Sequence, residues 1–160
     1  MKQEADPDLT LQLAVERLHA RYAQALDSDK LEDWPNFFTE NGRYRIATAE
    51  NEERGLPLPV LSAEGRAMMR DRVQSLRHAN IYEPQRYRHM VSSILIEKID
   101  GKSVRSSANF LVVRIMQDGA ALLFASGRYL DRIRLPEMQF EERVVVCDSR
   151  RFDTLLAIPL

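Results

Sequence analysis

The sequence predicts an α+β fold: a cone built from a strongly curved antiparallel sheet with about three N-terminal helices packed on it. Helical periodicity is confined to the first half of the 160-residue chain, whereas the residues after Pro84 are rich in Val, Ile, Leu, Phe and Tyr. Asp-Gly pairs separate the apolar runs of this second half, which is a strong hairpin signal. Helices followed by a meander of strands are typical of the α+β class.

Three helices are predicted in the N-terminal half. The first follows a flexible arm of ten residues and has an apolar stripe at spacings of three and four: Leu11, Val15, Leu18, Tyr22 and Leu26. Residues 27–29 are expected to end it and to cap a short aromatic helix from Leu31 to Phe38. Ser62 is expected to cap a third helix that runs to about Asn80.

The remaining segments predict turns and strands. Asn41-Gly42 indicates a turn before a short strand at 43–47, and residues 48–61 are expected to form an exposed loop. Four long strands are predicted at 87–99, 104–117, 120–134 and 138–148, and a final strand at 152–158. Asp100-Gly101 and Asp118-Gly119 favour tight turns between the first three of the long strands, and Pro136 favours the next reversal.

Length and charge limit the classes of protein. A chain of this length is expected to form one domain spanning residues 1–160. The net charge of -1 gives no bulk electrostatic attraction for nucleic acid or an anionic membrane. The N-terminus has no apolar signal segment and no run reaches transmembrane length, so a cytoplasmic location is expected.

The residue types needed for common catalytic centres are scarce. A Rieske cluster needs two cysteines and two histidines, but the only cysteine is Cys147, which follows three valines and is predicted to be a buried small apolar residue. The histidines are His19, His78 and His89, without short ligand-pair spacing; two are expected on helix surfaces and one in a polar network. Phosphate-binding and nucleophile-elbow motifs are missing. No catalytic, cofactor-binding or metal-binding residue is therefore assigned.

Two polar groups remain to be interpreted. In Arg86-Tyr87-Arg88-His89, strand alternation places the arginines on one face and Tyr87 and His89 on the other. This group is either a solvated strand edge or a cluster that docks a partner or lines the mouth of the cone. The second group lies on the later strands and is expected to form charge-assisted pairs that fix strand register: Arg128, Asp131, Arg132, Arg143 and Asp148.

Several stretches resemble the small subunits of Rieske-type aromatic-ring-hydroxylating dioxygenases. They are ANIYEPQRYRHMVSS (79–93), FASGRYLDRI (124–133) and ERVVVCDSRRFDTLLAIPL (142–160). ALDSD and LEDWPNFFTENGRYRI near the N-terminus are similar too, so the resemblance spans nearly the whole chain. Within the family, the chain most resembles the branch that acts on aromatic carboxylates, with terephthalate first and salicylate or anthranilate next.

This resemblance implies a cone of the ketosteroid-isomerase and nuclear-transport-factor type. It also implies a non-catalytic structural beta subunit that supports assembly of alpha subunits, in an α3β3 hexamer with a beta trimer as its base. The alpha subunits would hold a Rieske [2Fe–2S] cluster and mononuclear Fe(II), and a separate reductase would supply electrons from NAD(P)H. The matching positions are expected only as interface or scaffold residues: Arg86, Tyr87, Arg88, His89, Tyr129, Asp131, Arg143 and Asp148.

Two other functions are compatible with a cone fold. A stand-alone isomerase or dehydratase would transfer protons in a deep, closed pocket, with His89, Tyr87 and Asp27 as its candidate residues. A binding protein would hold a small aromatic acid through an arginine that grips its carboxylate.

Overall fold

The computed structural model describes residues 7–56, 58–78, 84–98, 100–150 and 158–160. Its helical segments are α1 (Pro7–Asp27), a 3₁₀ helix (Leu31–Phe37), α2 (Ala49–Glu53) and α3 (Gly65–His78). Its strands are β1 (Phe38–Thr48), β2 (Leu61–Glu64), β3 (Gln85–Lys98), β4 (Ser103–Met116), β5 (Ala121–Arg134) and β6 (Gln139–Cys147). The predicted α+β class is confirmed.

The strands form one six-stranded sheet in the order β2-β1-β6-β5-β4-β3, so β2 and β3 are its edges. The meander from β3 to β6 is antiparallel, as predicted. The pairing of β1 with β6 is parallel, because the chain crosses through α3 to the far edge and returns by way of β4 and β5. Register shifts interrupt four of the five pairings, and such bulges bend strands and increase their twist.

The apolar stripe of α1 is buried as its periodicity predicts. Val15, Leu18, Tyr22 and Leu26 all lie in the core. The helix begins at Pro7 rather than after residue 10, so residues 7–10 are not part of a flexible arm. Proline suits a first helical turn because an N–H at that position would have no partner within the helix. The negative charge of Asp8 is favourable there because the N-terminal end of the helix dipole is positive.

The turn predicted at Asn41-Gly42 is wrong, because both residues lie inside β1. The pairing with β6 shifts register between Phe38 and Arg43, so this is a bulge within a strand. A Cβ at Gly42 would lie 2.9 Å from the main-chain oxygen of Phe140, so glycine is required there by the close approach of β6.

Two predicted helix caps are also wrong. Ser62 lies in β2, opposite Arg45, and α3 begins only at Gly65. The 3₁₀ helix has Lys30 at its N-cap, without a side-chain capping bond. A cap is instead found within the predicted loop 48–61, where the Thr48 side chain accepts a hydrogen bond from the Asn51 N–H at the start of α2.

The four long strands and their Asp-Gly turns agree with prediction to within about two residues. Asp100 Oδ1 accepts hydrogen bonds from the N–H groups of Lys102 and Ser103. Asp118 Oδ1 accepts one from Ala120, and Gly119 has a φ of +87°. Residues 152–157 of the predicted final strand, and residues 79–83, lie outside the described part of the chain.

In the described part of the chain, large side chains fill the centre of the cone. Its largest fully buried residues are Trp34, Arg143, Tyr22, Tyr44, Tyr129, Phe38 and Phe140. The carbonyl of Leu160 accepts hydrogen bonds from the hydroxyls of Tyr22 and Tyr44, at 2.9 and 3.3 Å. The Trp34 indole N–H donates to the Tyr22 hydroxyl. Edge-to-face ring contacts of Tyr22 with Phe140 and of Trp34 with Tyr44 also join α1, the 3₁₀ helix and the sheet in one core.

Candidate functional site

A buried ion pair lies at the centre of the cone. Arg143 on β6 stands directly opposite Asp131 on β5. Its Nε and Nη2 atoms each donate to one carboxylate oxygen of Asp131, both at 2.8 Å. Both side chains are 0% exposed. The predicted pairing across neighbouring strands is thus present at these two residues, in its bidentate form.

His19 on α1 completes this cluster. Its Nδ1 lies 3.0 Å from Nη2 of Arg143, and its Nε2 lies 3.6 Å from Oδ2 of Asp131. Burial, and then the charge of Arg143, lower the pKa of His19 to about 2, so the ring is neutral. Because Arg143 can only donate, Nδ1 is the acceptor and the ring proton belongs on Nε2, towards Asp131.

Aromatic rings surround the guanidinium group. The Cζ atom of Arg143 lies 4.0 Å from the ring centroids of Tyr129 and Phe140 and 4.2 Å from that of Tyr22. Burial opposes the charge of Arg143, but the Asp131 carboxylate outweighs it, so the pKa of Arg143 lies above its ordinary value. A permanently charged group held by a carboxylate and three rings is suited to fixing α1 on the sheet.

We predict that the neutral state of His19 makes the protein sensitive to acid. Below about pH 6.5 the unfolded chain binds a proton at His19 and the folded chain does not, so stability falls as the pH falls. This residue alone should remove about 2 kcal/mol of unfolding free energy between about pH 7 and about pH 5. Urea unfolding at both pH values measures this loss.

The matched variant for this prediction is His19→Asn, whose side-chain oxygen can still accept from Arg143 and which does not titrate. It should lose about 2 kcal/mol less than the wild type over the same pH interval. If both proteins lost the same unfolding free energy between these pH values, His19 would bind its proton as readily in the folded protein as in the unfolded chain.

A second polar pair joins the end of α1 to β3. Oδ1 of Asp27 lies 2.6 Å from Nδ1 of His89, and both carboxylate oxygens accept from the His89 main-chain N–H at 3.1 Å. Arg88 Nη1 lies 3.8 Å from Oδ2 of Asp27. Asp27 does not cap the next helix as predicted; it ties α1 to the edge strand instead.

This pair borders an open groove of about 600 Å³ between α1 and β3. The groove is largely polar, with Gln12, Glu16 and Ser92 among its lining residues. Tyr87 packs against the ring of Phe124, at a centroid distance of 5.2 Å. It is not among the described residues that line this groove. The structure therefore brings together two of the three residues required by the isomerase hypothesis, but not in a closed pocket.

The other predicted site residues are spread over the sheet. Arg86 and Arg88 are exposed, while Tyr87 and His89 are buried on the opposite face, as strand alternation predicts. The exposed Asp148 accepts a hydrogen bond from the Ser126 hydroxyl at 3.0 Å. Burial, together with Asp148, raises the pKa of Cys147 to about 12, so this thiol is unsuited to be a nucleophile.

The prediction that His19 lies on a helix surface is wrong, because its side chain is buried. The signal was available, because His19 follows Val15 by four residues and precedes Tyr22 by three. Both neighbours belong to the apolar stripe, so the ring lies on the same helix face.

Within the described ranges, no group of three or more His, Cys, Asp or Glu side chains is arranged to hold a metal ion. No helix in the described part of the chain is both long and apolar enough to cross a membrane.

The fold belongs to a known class of protein, since residues 7–137 match the family model of the SnoaL-like domain. The chain is 40% identical to beta subunit 1 of the terminal oxygenase component of terephthalate 1,2-dioxygenase from Comamonas sp., over 93% of this chain and 98% of that protein. It is 37% identical to the small subunit of anthranilate 1,2-dioxygenase from Burkholderia cepacia, over 96% of both chains.

A solved structure supports the same relationship. The beta subunit assigned to an aromatic-ring-hydroxylating dioxygenase of Novosphingobium aromaticivorans aligns with a TM-score of 0.89 and 31% identity, over 97% of this chain and 100% of that chain. The chain belongs to the family of beta subunits of aromatic-ring-hydroxylating dioxygenases, as the sequence resemblance indicated.

Proposed function

We propose that this chain is the structural, non-catalytic beta subunit of a terminal oxygenase component that hydroxylates an aromatic carboxylate. Terephthalate is the first candidate substrate, and anthranilate or salicylate comes next. The observation that supports this most directly is the 40% identity to a terephthalate 1,2-dioxygenase beta subunit over nearly the full length of both chains. The anthranilate enzyme's small subunit follows at 37%.

The partner in this proposal is the large alpha subunit of the oxygenase, in an α3β3 hexamer on a beta trimer base. The alpha subunit would hold the Rieske [2Fe–2S] cluster and the mononuclear Fe(II), and a reductase would bring electrons from NAD(P)H. A cytoplasmic location suits this supply of reduced nicotinamide cofactor.

The eight candidate residues divide by burial into two groups. Five are buried and suit a scaffold role: Tyr87, His89, Tyr129, Asp131 and Arg143. Three are exposed and suit contact with other chains: Arg86, Arg88 and Asp148. Interface cores favour arginine because its planar guanidinium binds carboxylates and stacks on rings.

The cone interior gives less support to the two other functions. A proton-transferring enzyme of the predicted kind needs an enclosed cavity, whereas Arg143 and three rings occupy the centre of this cone. A carboxylate-binding site in the cone needs a free guanidinium, and that of Arg143 is already bound by Asp131.

Co-expression with the large oxygenase subunit of the same organism tests the proposal. We expect the two chains to co-purify as a complex of about six chains, with all of the iron assigned to the large subunit. Native mass spectrometry and metal analysis measure both quantities, and product formation from terephthalate, anthranilate and salicylate identifies the substrate. A chain that never co-purifies with the large subunit would contradict the proposal.

A further inference from the structure

Two exposed apolar surfaces lie towards opposite edges of the sheet. The first, here the apolar loop, directly precedes the edge strand β2 and consists of Leu56, Leu58 and Val60. The second, here the outer patch, lies on the three strands at the other edge and consists of the exposed Met90 and Leu123 with the half-buried Leu111, Val113 and Ile115. Clustered exposed aliphatic side chains on a soluble domain indicate a contact surface.

Hydrogen bonds hold the apolar loop in shape. The Leu56 N–H donates to the main-chain oxygen of Asn51 at 2.9 Å, and the Asn51 side-chain amide donates to the oxygen of Leu58 at 3.4 Å. The Val60 N–H donates to the oxygen of Ile46 on β1 at 2.8 Å. Leu58 is nevertheless 73% exposed. Because these bonds constrain the chain at Leu56, Leu58 and Val60, docking these side chains on a partner costs less conformational entropy.

Strand register assembles the outer patch. Met90 lies opposite Leu111, and Val113 lies opposite both Arg88 and Leu123. Cross-strand partners share one face of a sheet, and this face is opposite to the one that carries the buried side chains of Tyr87 and His89. Met90 is 50% and Leu123 65% exposed, so apolar area remains uncovered there.

Charge distinguishes the possible pairings of these surfaces. Arg86 lies opposite Ile115 beside the outer patch, and in the described part of the chain it has no ion-pair partner. Glu53 ends α2 beside the apolar loop and likewise has none among the described residues. A contact between two outer patches would bring two Arg86 side chains together, and a contact between two apolar loops would bring two Glu53 side chains together. Both pairings are repulsive. A contact between a loop and a patch instead places Glu53 near Arg86, which is attractive.

We infer that the apolar loop of one copy of this chain packs on the outer patch of the next copy, head to tail. The inference rests on the proposed function and names the surfaces that would close the beta trimer. A contact between two different surfaces of the same chain generates a ring when its rotation closes. A second copy fits both surfaces because the apolar and charged features of each complement the other.

Two single variants of the full-length chain test this arrangement. Leu58→Glu disables the loop and Leu123→Glu disables the patch, so each variant alone should be monomeric where the wild type is trimeric. Mixed in equal amounts, they should form a dimer and stop there, because the intact loop of one meets the intact patch of the other only once. Native mass spectrometry measures the three masses.

Leu95→Glu is the matched control. Leu95 is 71% exposed on β3. It lies about 20 Å along this strand from Arg88, the residue of β3 that is aligned with Val113 and Leu123. The Leu95→Glu variant should therefore keep the wild-type mass. All three leucines are exposed, and an unchanged far-UV circular dichroism spectrum confirms that the variants fold. The thermal midpoint is not the criterion, because loss of the trimer by itself lowers it.

The outcomes separate this inference from the proposed function. A monomeric wild-type chain, or loop and patch variants that keep the wild-type mass, would overturn the inference. If the variants keep the wild-type mass but no longer co-purify with the large subunit, the two surfaces bind the large subunit instead, and the proposed function stands. Rings that respond as expected, in a chain that never co-purifies with a large subunit, would refute the proposed function alone.

Discussion

Replacing Arg143 with methionine is expected to lower the free energy of unfolding by about 3–5 kcal/mol. The change leaves the Asp131 carboxylate in the core without its bidentate partner, and it removes a cation from between three aromatic rings. An unpaired buried charge is among the largest single destabilising effects known in proteins. Urea unfolding at neutral pH measures the loss.

An exposed pair provides the control. Arg132 Nε donates to Glu141 at 2.7 Å, but the Arg132 side chain is 45% exposed. Arg132→Met should therefore cost less than about 1 kcal/mol. The double variant Arg143→Met with Asp131→Leu should recover much of the loss, because no charge is left unpaired. Equal effects of Arg143→Met and Arg132→Met would contradict the description of Arg143 and Asp131 as a buried pair.

Gly127→Ala is expected to destabilise the protein by about 3 kcal/mol or more, because β5 and β6 approach too closely at this point to admit a side chain. A Cβ at Gly127 would overlap the main-chain oxygen of Val146 and lie 2.9 Å from its carbonyl carbon. Main-chain atoms of a central strand pair cannot move aside without breaking the ladder beside Cys147. The thermal midpoint and the soluble yield of the variant measure the effect.

Gly101→Ala is the matched substitution. A Cβ there meets no atom within 4 Å, and Gly101 lies in the turn between β3 and β4. The free energy of unfolding should change by no more than about 0.5 kcal/mol. If the two alanine variants were equally stable, the close strand approach at Gly127 would be disproved.

The sequence determined the elements whose signals are local. The stripe from Leu11 to Leu26 fixed the buried face of α1, since a 3.6-residue period places these side chains on one side of a helix. The Asp-Gly pairs located two of the hairpins because a tight turn needs their chemistry within a few residues. Alternation likewise sorted Arg86 and Arg88 from Tyr87 and His89. The family followed from residues distributed over nearly the whole chain.

Only the tertiary structure decided which polar groups meet. His19 and Arg143 are 124 positions apart, and Asp27 and His89 are 62 apart. No periodicity relates residues at such separations, because their contact depends on how α1 lies across the finished sheet. For the same reason Asn41-Gly42 has the residues of a turn but forms a bulge: the pairing of β1 with β6 outweighs a local preference of about 1 kcal/mol.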